Sequence, residues 1–159
     1  MIIDDQKIKT LVNEKKDIPK DIFKTIGDLN NFKQKRGHRE INFEIKGVNN
    51  NQFRLIIRIS IHNSLDFSCI LTYTLPDINS EFILLRYNGK SHEHENSLEH
   101  EIFYNFHIHY ATQRYQEHGF SEEEYAIVTD RYSHYIDAFQ CLIKDCNCQT
   151  PGINQRRII

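Results

Sequence analysis

Histidine titrates near neutral pH and binds first-row metals through a neutral ring nitrogen. It occurs nine times in 159 residues, and six of the nine fall between residues 92 and 118. Two His-x-His pairs stand out, His92 with His94 and His107 with His109, separated by a stretch that carries Glu93, Glu95, Glu99, His100 and Glu101. Three readings compete for this cluster. In the first, the four paired histidines, with Glu95 or Glu99 completing the set, hold a divalent metal such as zinc, whose open position activates water. In the second, His107 and His109 act without metal as acid and base, partnered by His92 and His94, a chemistry suited to phosphodiester cleavage. In the third, the imidazoles only hydrogen-bond and stabilise a polar loop. Arg86 and Arg114 flank the cluster, and either guanidinium could neutralise a phosphate or a developing oxyanion. Pairing with the local glutamates is the plainer role for both, and Arg86, in register with Phe82 and Leu84, is the better placed.

Backbone elements must bring these rings together. If residues 103–110 form a strand, His107 and His109 share a face about 6.6 Å apart, while Phe106, Ile108 and Tyr110 supply burial on the other. The first pair follows the turn at Asn88-Gly89, so the two pairs converge if the strands before and after the loop are neighbours. Upstream, Ile41, Phe43 and Ile45, then Phe53, Leu55, Ile57, Ile59 and Ile61, then Phe67, Cys69, Leu71, Tyr73 and Leu75 alternate with polar residues, as half-buried strands do. Short turn-rich links between them predict an antiparallel meander. Helical spacing appears at Ile8, Leu11 and Val12, and again at Val128, Tyr132, Tyr135, Phe139 and Leu142 behind a capping box of Ser121 and Glu124. The expected fold class is α+β in a single domain over residues 1–159. It has a helical segment over 4–28, an antiparallel meander of about five strands over 39–110, and a C-terminal helix over about 122–146, with helices covering one face of the sheet.

Composition narrows the function classes. With 39% hydrophobic and 26% charged residues, three prolines and six glycines, the chain is neither disordered nor low-complexity. No run of about 18 apolar residues and no signal-peptide pattern is present, which predicts a cytoplasmic protein without a membrane partner. The net charge of −2 conceals an asymmetry. Residues 1–60 hold 13 Lys/Arg against 8 Asp/Glu, and the remainder 7 against 14. Neither part has the clustered basic face of a dedicated nucleic-acid binder, and the face carrying Arg54 and Arg58 lacks an aromatic platform for bases. The four cysteines, Cys69, Cys141, Cys146 and Cys148, read as reduced thiols, with a tight disulfide between the last two as a regulatory alternative. A His-Glu-x-x-His helix, a Walker loop, a dinucleotide fingerprint and a nucleophile elbow are all missing.

The run from Leu84 to His109 resembles a domain family of small bacterial and archaeal mobile-element proteins. Its pattern is an arginine-bearing strand, a glycine turn, His-x-Asn and then His-x-His-x-Tyr. The counterparts here are Arg86, Gly89, His94, Asn96, His107 and His109, followed by Gly119. The closing segment from Asp145 through Cys146, Asn147, Pro151 and Ile153 is similar to that family's terminus. Arg86, Tyr87, Asn88, Gly89, His92 and His94 also resemble the turn and His-x-His of TumE-like toxin components, with Asn88 where those proteins carry an aspartate. These likenesses imply a mobile-element setting and a ribonuclease-like or phosphodiesterase activity of a toxin-antitoxin or host-defence system, with RNA as substrate and an antitoxin or other protein as partner. The competing expectation is a non-enzymatic interaction or metal-binding domain.

Overall fold

A computed structural model of the chain describes residues 1–151. The chain opens with α1 (Asp5–Asn13), started by the Asp4 carboxylate, which accepts from the Lys7 amide at 2.7 Å and buries Ile8 and Leu11 on its inner side. Strand β1 (Lys16–Asp17), helix α2 (Ile22–Ile26), a 3-10 turn (Leu29–Asn31) and β2 (Lys33–Gln34) follow. Four long strands then meander, β3 (His38–Gly47), β4 (Gln52–Ser60), β5 (Phe67–Thr74) and β6 (Glu81–Asn88), each antiparallel to the next. Their period-two alternation sets the register. Ile41, Phe43 and Ile45 lie opposite Ile57, Leu55 and Phe53, while Glu40 and Glu44 lie opposite Arg58 and Arg54 on the reverse face.

Beyond β6 the chain leaves the sheet to form a small hairpin, β7 (His94–Asn96) with β8 (Glu101–Phe103), and returns as β9 (His107–Tyr110) alongside β6. A short α3 (Gln113–Glu117), edge strand β10 (Ala126–Val128), helix α4 (Tyr135–Asp145) and β11 (Cys148–Gln149) complete the order. Among the described residues the main sheet has nine strands in the order β10-β9-β6-β5-β4-β3-β1-β11, with β2 on β3, and is antiparallel except between β1 and β11. Alternation alone predicts about five. The additional strands, β1, β2, β10 and β11, are two or three residues long, too short for a periodic signal.

The final helix begins 13 residues later than the capping-box pattern predicts. Glu124 closes a turn on the Ser121 carbonyl instead, and Ala126–Val128 pair with β9. His134 caps the helix, accepting from the Ile136 amide. Tyr132 precedes the helix yet still joins the core, its ring 6.1 Å from that of Tyr87. The α4 helix packs on β4, β5 and β6, burying Ala138, Phe139 and Leu142 completely. At its far end the fully buried Lys16 ammonium donates to the carbonyls of Leu11, Val12 and Glu14 at the end of α1 and of Cys146 just past α4, all within 3.0 Å. A single cation thus satisfies the negative ends of two helices. No helix among the described residues is long and apolar enough to cross a membrane.

Candidate metal centre

Strand β9 runs between β6 and β10, and its alternation sorts its four residues cleanly. Ile108 lies opposite Tyr87 and is buried in the core. His107 and His109 point to the other face, opposite Asn88 and Arg86 on β6 and Val128 and Ala126 on β10. The strand expected over residues 103–110 is therefore two strands, β8 and β9, with residues 104–106 as the link.

The third imidazole comes from the hairpin. Asn96, only 1% exposed, donates through Nδ2 to the Ala126 carbonyl (2.8 Å) and accepts through Oδ1 from the Ala126 amide (2.9 Å). Its amide replaces a neighbouring strand at the edge of β10 and pins β7 to the sheet. His94, two residues earlier, is thereby carried over β9. Its ring centroid lies 5.3 Å from that of His107 and 4.7 Å from that of His109, while the latter two are 4.9 Å apart. Phe103 packs against both His94 and His107. One ring nitrogen from each of His94, His107 and His109 lies within 4.8 Å of the other two.

Hydrogen bonds decide which nitrogen each ring presents. His107 Nδ1 faces the Asn105 carbonyl at 2.8 Å, and His109 Nδ1 faces the Glu123 carbonyl at 2.8 Å. A carbonyl only accepts, so both rings carry their proton on Nδ1 and keep the lone pair on Nε2. Asn96 Oδ1 is fixed as an acceptor by its pairing with Ala126, so His94 Nε2, 2.9 Å away, donates to it. In its neutral form His94 then presents Nδ1. Each ring thus keeps one nitrogen lone pair free and is held through its other nitrogen by an amide or peptide carbonyl, as metal-ligating histidines are.

The electrostatics agree. Burial, with the charges of His107, His94 and Arg86, pushes the pKa of His109 down to about 3. Burial likewise lowers that of His107. Both rings are thus neutral at pH 7, the state that binds a cation. Glu123 is buried beside them, its carboxylate 2.7 Å from Arg86 and its backbone carbonyl on His109. Burial raises its pKa against the pull of Arg86. Arg86 Nε is buried with no acceptor among the described residues. On the His107 side a cavity of about 110 Å3 opens between Ser68, Arg86, Asn88, Ser91 and His92.

Of the expected ligands, His94, His107 and His109 come together and the others stand apart. His92 is exposed, hydrogen-bonded to Ser91, and borders the cavity without joining the three rings. Glu95 is exposed and lies opposite Ile102 in the hairpin. Glu99 is held by Arg114 and Tyr115, which also accounts for Arg114 as an ion-pair partner. Arg86 sits on the histidine face opposite His109, away from Phe82 with which simple alternation groups it, because a register shift in β6 opposite Leu71 and Thr72 changes the face; its charge is met by Glu123. Glu123 and Phe103 were not among the expected site residues. Ile153 lies outside the described residues. No family model, curated protein or solved structure matches this chain.

Proposed function

We propose that the protein is a metal-dependent hydrolase in which His94, His107 and His109 bind one divalent ion, zinc by the preference of three imidazoles. We infer that its substrate is a phosphodiester, RNA in a cytoplasmic toxin-antitoxin or host-defence setting. The observation that carries the metal is the convergence of one ring nitrogen from each of three histidines whose tautomers are set by hydrogen bonds. Three histidines with a free fourth position are a catalytic rather than a structural zinc set. An ion bound there would polarise a phosphoryl oxygen and lower the pKa of water. Metal-free acid-base catalysis fits less well, because His107 and His109 are held neutral and offer no imidazolium to protonate a leaving group. In this reading the helices back one face of the sheet and the histidine face receives substrate, with Arg86 and the cavity beside His107 meeting the phosphate. The RNA and the mobile-element setting rest on the likeness of the Arg86 to His109 run. A non-enzymatic metal-binding role is favoured by one observation, the neutralisation of Arg86 by Glu123.

Metal content of protein purified without an affinity tag, with RNA cleavage followed in zinc and in chelator, tests both parts. The expected result is about one zinc per chain, retained in His92→Ala and lost in His107→Ala, with cleavage that needs the metal. Zinc bound without cleavage would leave the non-enzymatic role, and unchanged metal content in His107→Ala would overturn the site itself.

A further inference from the structure

At the sheet edge opposite the histidines, α4 ends on Cys146, Asn147 turns the chain at a positive φ of 58°, and Cys148 begins β11. That turn is held from two sides. The Asn147 carbonyl accepts from the Lys16 amide at 3.0 Å, and its side chain donates to the Asn13 carbonyl at 2.9 Å. The two thiols consequently meet, with Sγ to Sγ of 3.3 Å, and both are free. The Lys16 ammonium is anchored 2.8 Å from the Cys146 carbonyl, and Lys16 is the ladder partner of Cys148. A fixed cation beside a thiol pair favours the thiolate, the nucleophilic form.

We propose that Cys146 and Cys148 form a peroxide-oxidisable dithiol, independent of the histidine centre. Cys148 is the attacking sulfur. It is the more exposed of the two, at 9% against 0%, and the Cys146 hydrogen bond, helped by Lys16, holds its pKa below the usual thiol range. Its thiolate attacks one peroxide oxygen. The sulfur–oxygen bond forms, the oxygen–oxygen bond breaks, and the departing hydroxide takes a proton and leaves as water. Cys146 then attacks the sulfenic sulfur of Cys148. The sulfur–sulfur bond forms, the hydroxyl leaves with the Cys146 proton as a second water, and two electrons have passed from the dithiol to the peroxide. Cys69 serves as an internal control: it is fully buried, and desolvation pushes its thiol far up.

Trypsin cleaves after Lys144 and Arg156, so one peptide, 145–156, carries both thiols. Folded untagged protein is treated with hydrogen peroxide, denatured, alkylated with iodoacetamide and mapped by mass. The expected result is that peptide 145–156 loses two hydrogens and takes no label, reverting with dithiothreitol, while the peptide holding Cys69 is labelled fully. In Cys146→Ser the reaction stops at a Cys148 sulfenic acid that dimedone traps, and in Cys148→Ser the two-hydrogen loss disappears. His107→Ala behaves as wild type, which separates this site from the metal reading. Full labelling of both thiols after peroxide, or conversion straight to sulfinic acid without the two-hydrogen loss, overturns the proposal.

Discussion

Asn96 carries more of the site than any ligand does. Its amide closes both polar groups of Ala126 and fixes the proton of His94, so one side chain sets the position and the tautomer of the third imidazole. Asn96→Ala leaves a buried peptide group unpaired and is expected to cost about 1–3 kcal/mol of stability. It also weakens zinc binding by roughly 10–100-fold. Urea unfolding and a competition titration with a chromophoric chelator measure the two separately. His109 gives a pH prediction for the metal-free protein. Its folded pKa of about 3 lies below the value of 6.5 expected when unfolded. The unfolded chain therefore binds the extra proton. The contribution of neutral His109 is complete above pH 6.5 and lost as pH falls toward 3, at up to about 1.4 kcal/mol per pH unit. Urea midpoints in chelator across that range show the slope, and His109→Phe flattens it. At this scale the His-x-His pair of β9 was legible, because strand alternation alone puts His107 and His109 on one face. Glu123 was not legible. It meets Arg86 from 37 residues away, and nothing in its neighbours marks it.

Among the elements, β3, β4 and β5 were readable because apolar and polar residues alternate along them, and β6 because its run of eight residues is apolar on both faces. The N-terminal helix was readable from its acidic cap and the spacing of Ile8 and Leu11. The region after Gly119 was not. Its Ser121 and Glu124 satisfy a capping pattern locally, but Ala126–Val128 gain a full strand partner in β9 and the Asn96 amide, which outweighs one more helical turn. Tyr132 is buried although it precedes the helix, so the spacing of Tyr132, Tyr135 and Phe139 could not locate the helix start. Lys16 ties the elements at the other edge. Replacing it with methionine keeps the volume but strands the carbonyls of two helix ends, and we expect a loss of about 2–4 kcal/mol. Chemical unfolding measures it. A change below about 0.5 kcal/mol would show that water meets those carbonyls equally well.

At the scale of the molecule, the sheet separates two chemistries. The histidine centre lies at the β9–β10 edge and the thiol pair at the β1–β11 edge, at opposite ends of the strand order. The metal centre joins segments distant in sequence, since its ligands come from the hairpin and from β9, and Glu123 from the loop before β10. An ion held there favours the folded chain by mass action, by about 2.7 kcal/mol at a hundredfold excess over its dissociation constant. Thermal unfolding should therefore rise with added zinc and fall with chelator in wild type, and respond much less in His94→Ala, which keeps two of the three imidazoles. Convergence of the two His-x-His pairs could be anticipated only as far as adjacent strands allowed. That one member of the first pair would turn inward and the other outward depends on the anchoring of β7 by Asn96, a contact made across 30 residues.

X-ray absorption at the zinc edge tests the central claim most directly, on untagged protein loaded with one equivalent of zinc. The account predicts three imidazole nitrogens at about 2.0–2.1 Å with one further light-atom ligand, falling to two imidazoles in His94→Ala. A spectrum with sulfur in the first shell at about 2.3 Å, or one unchanged by His94→Ala, would contradict it.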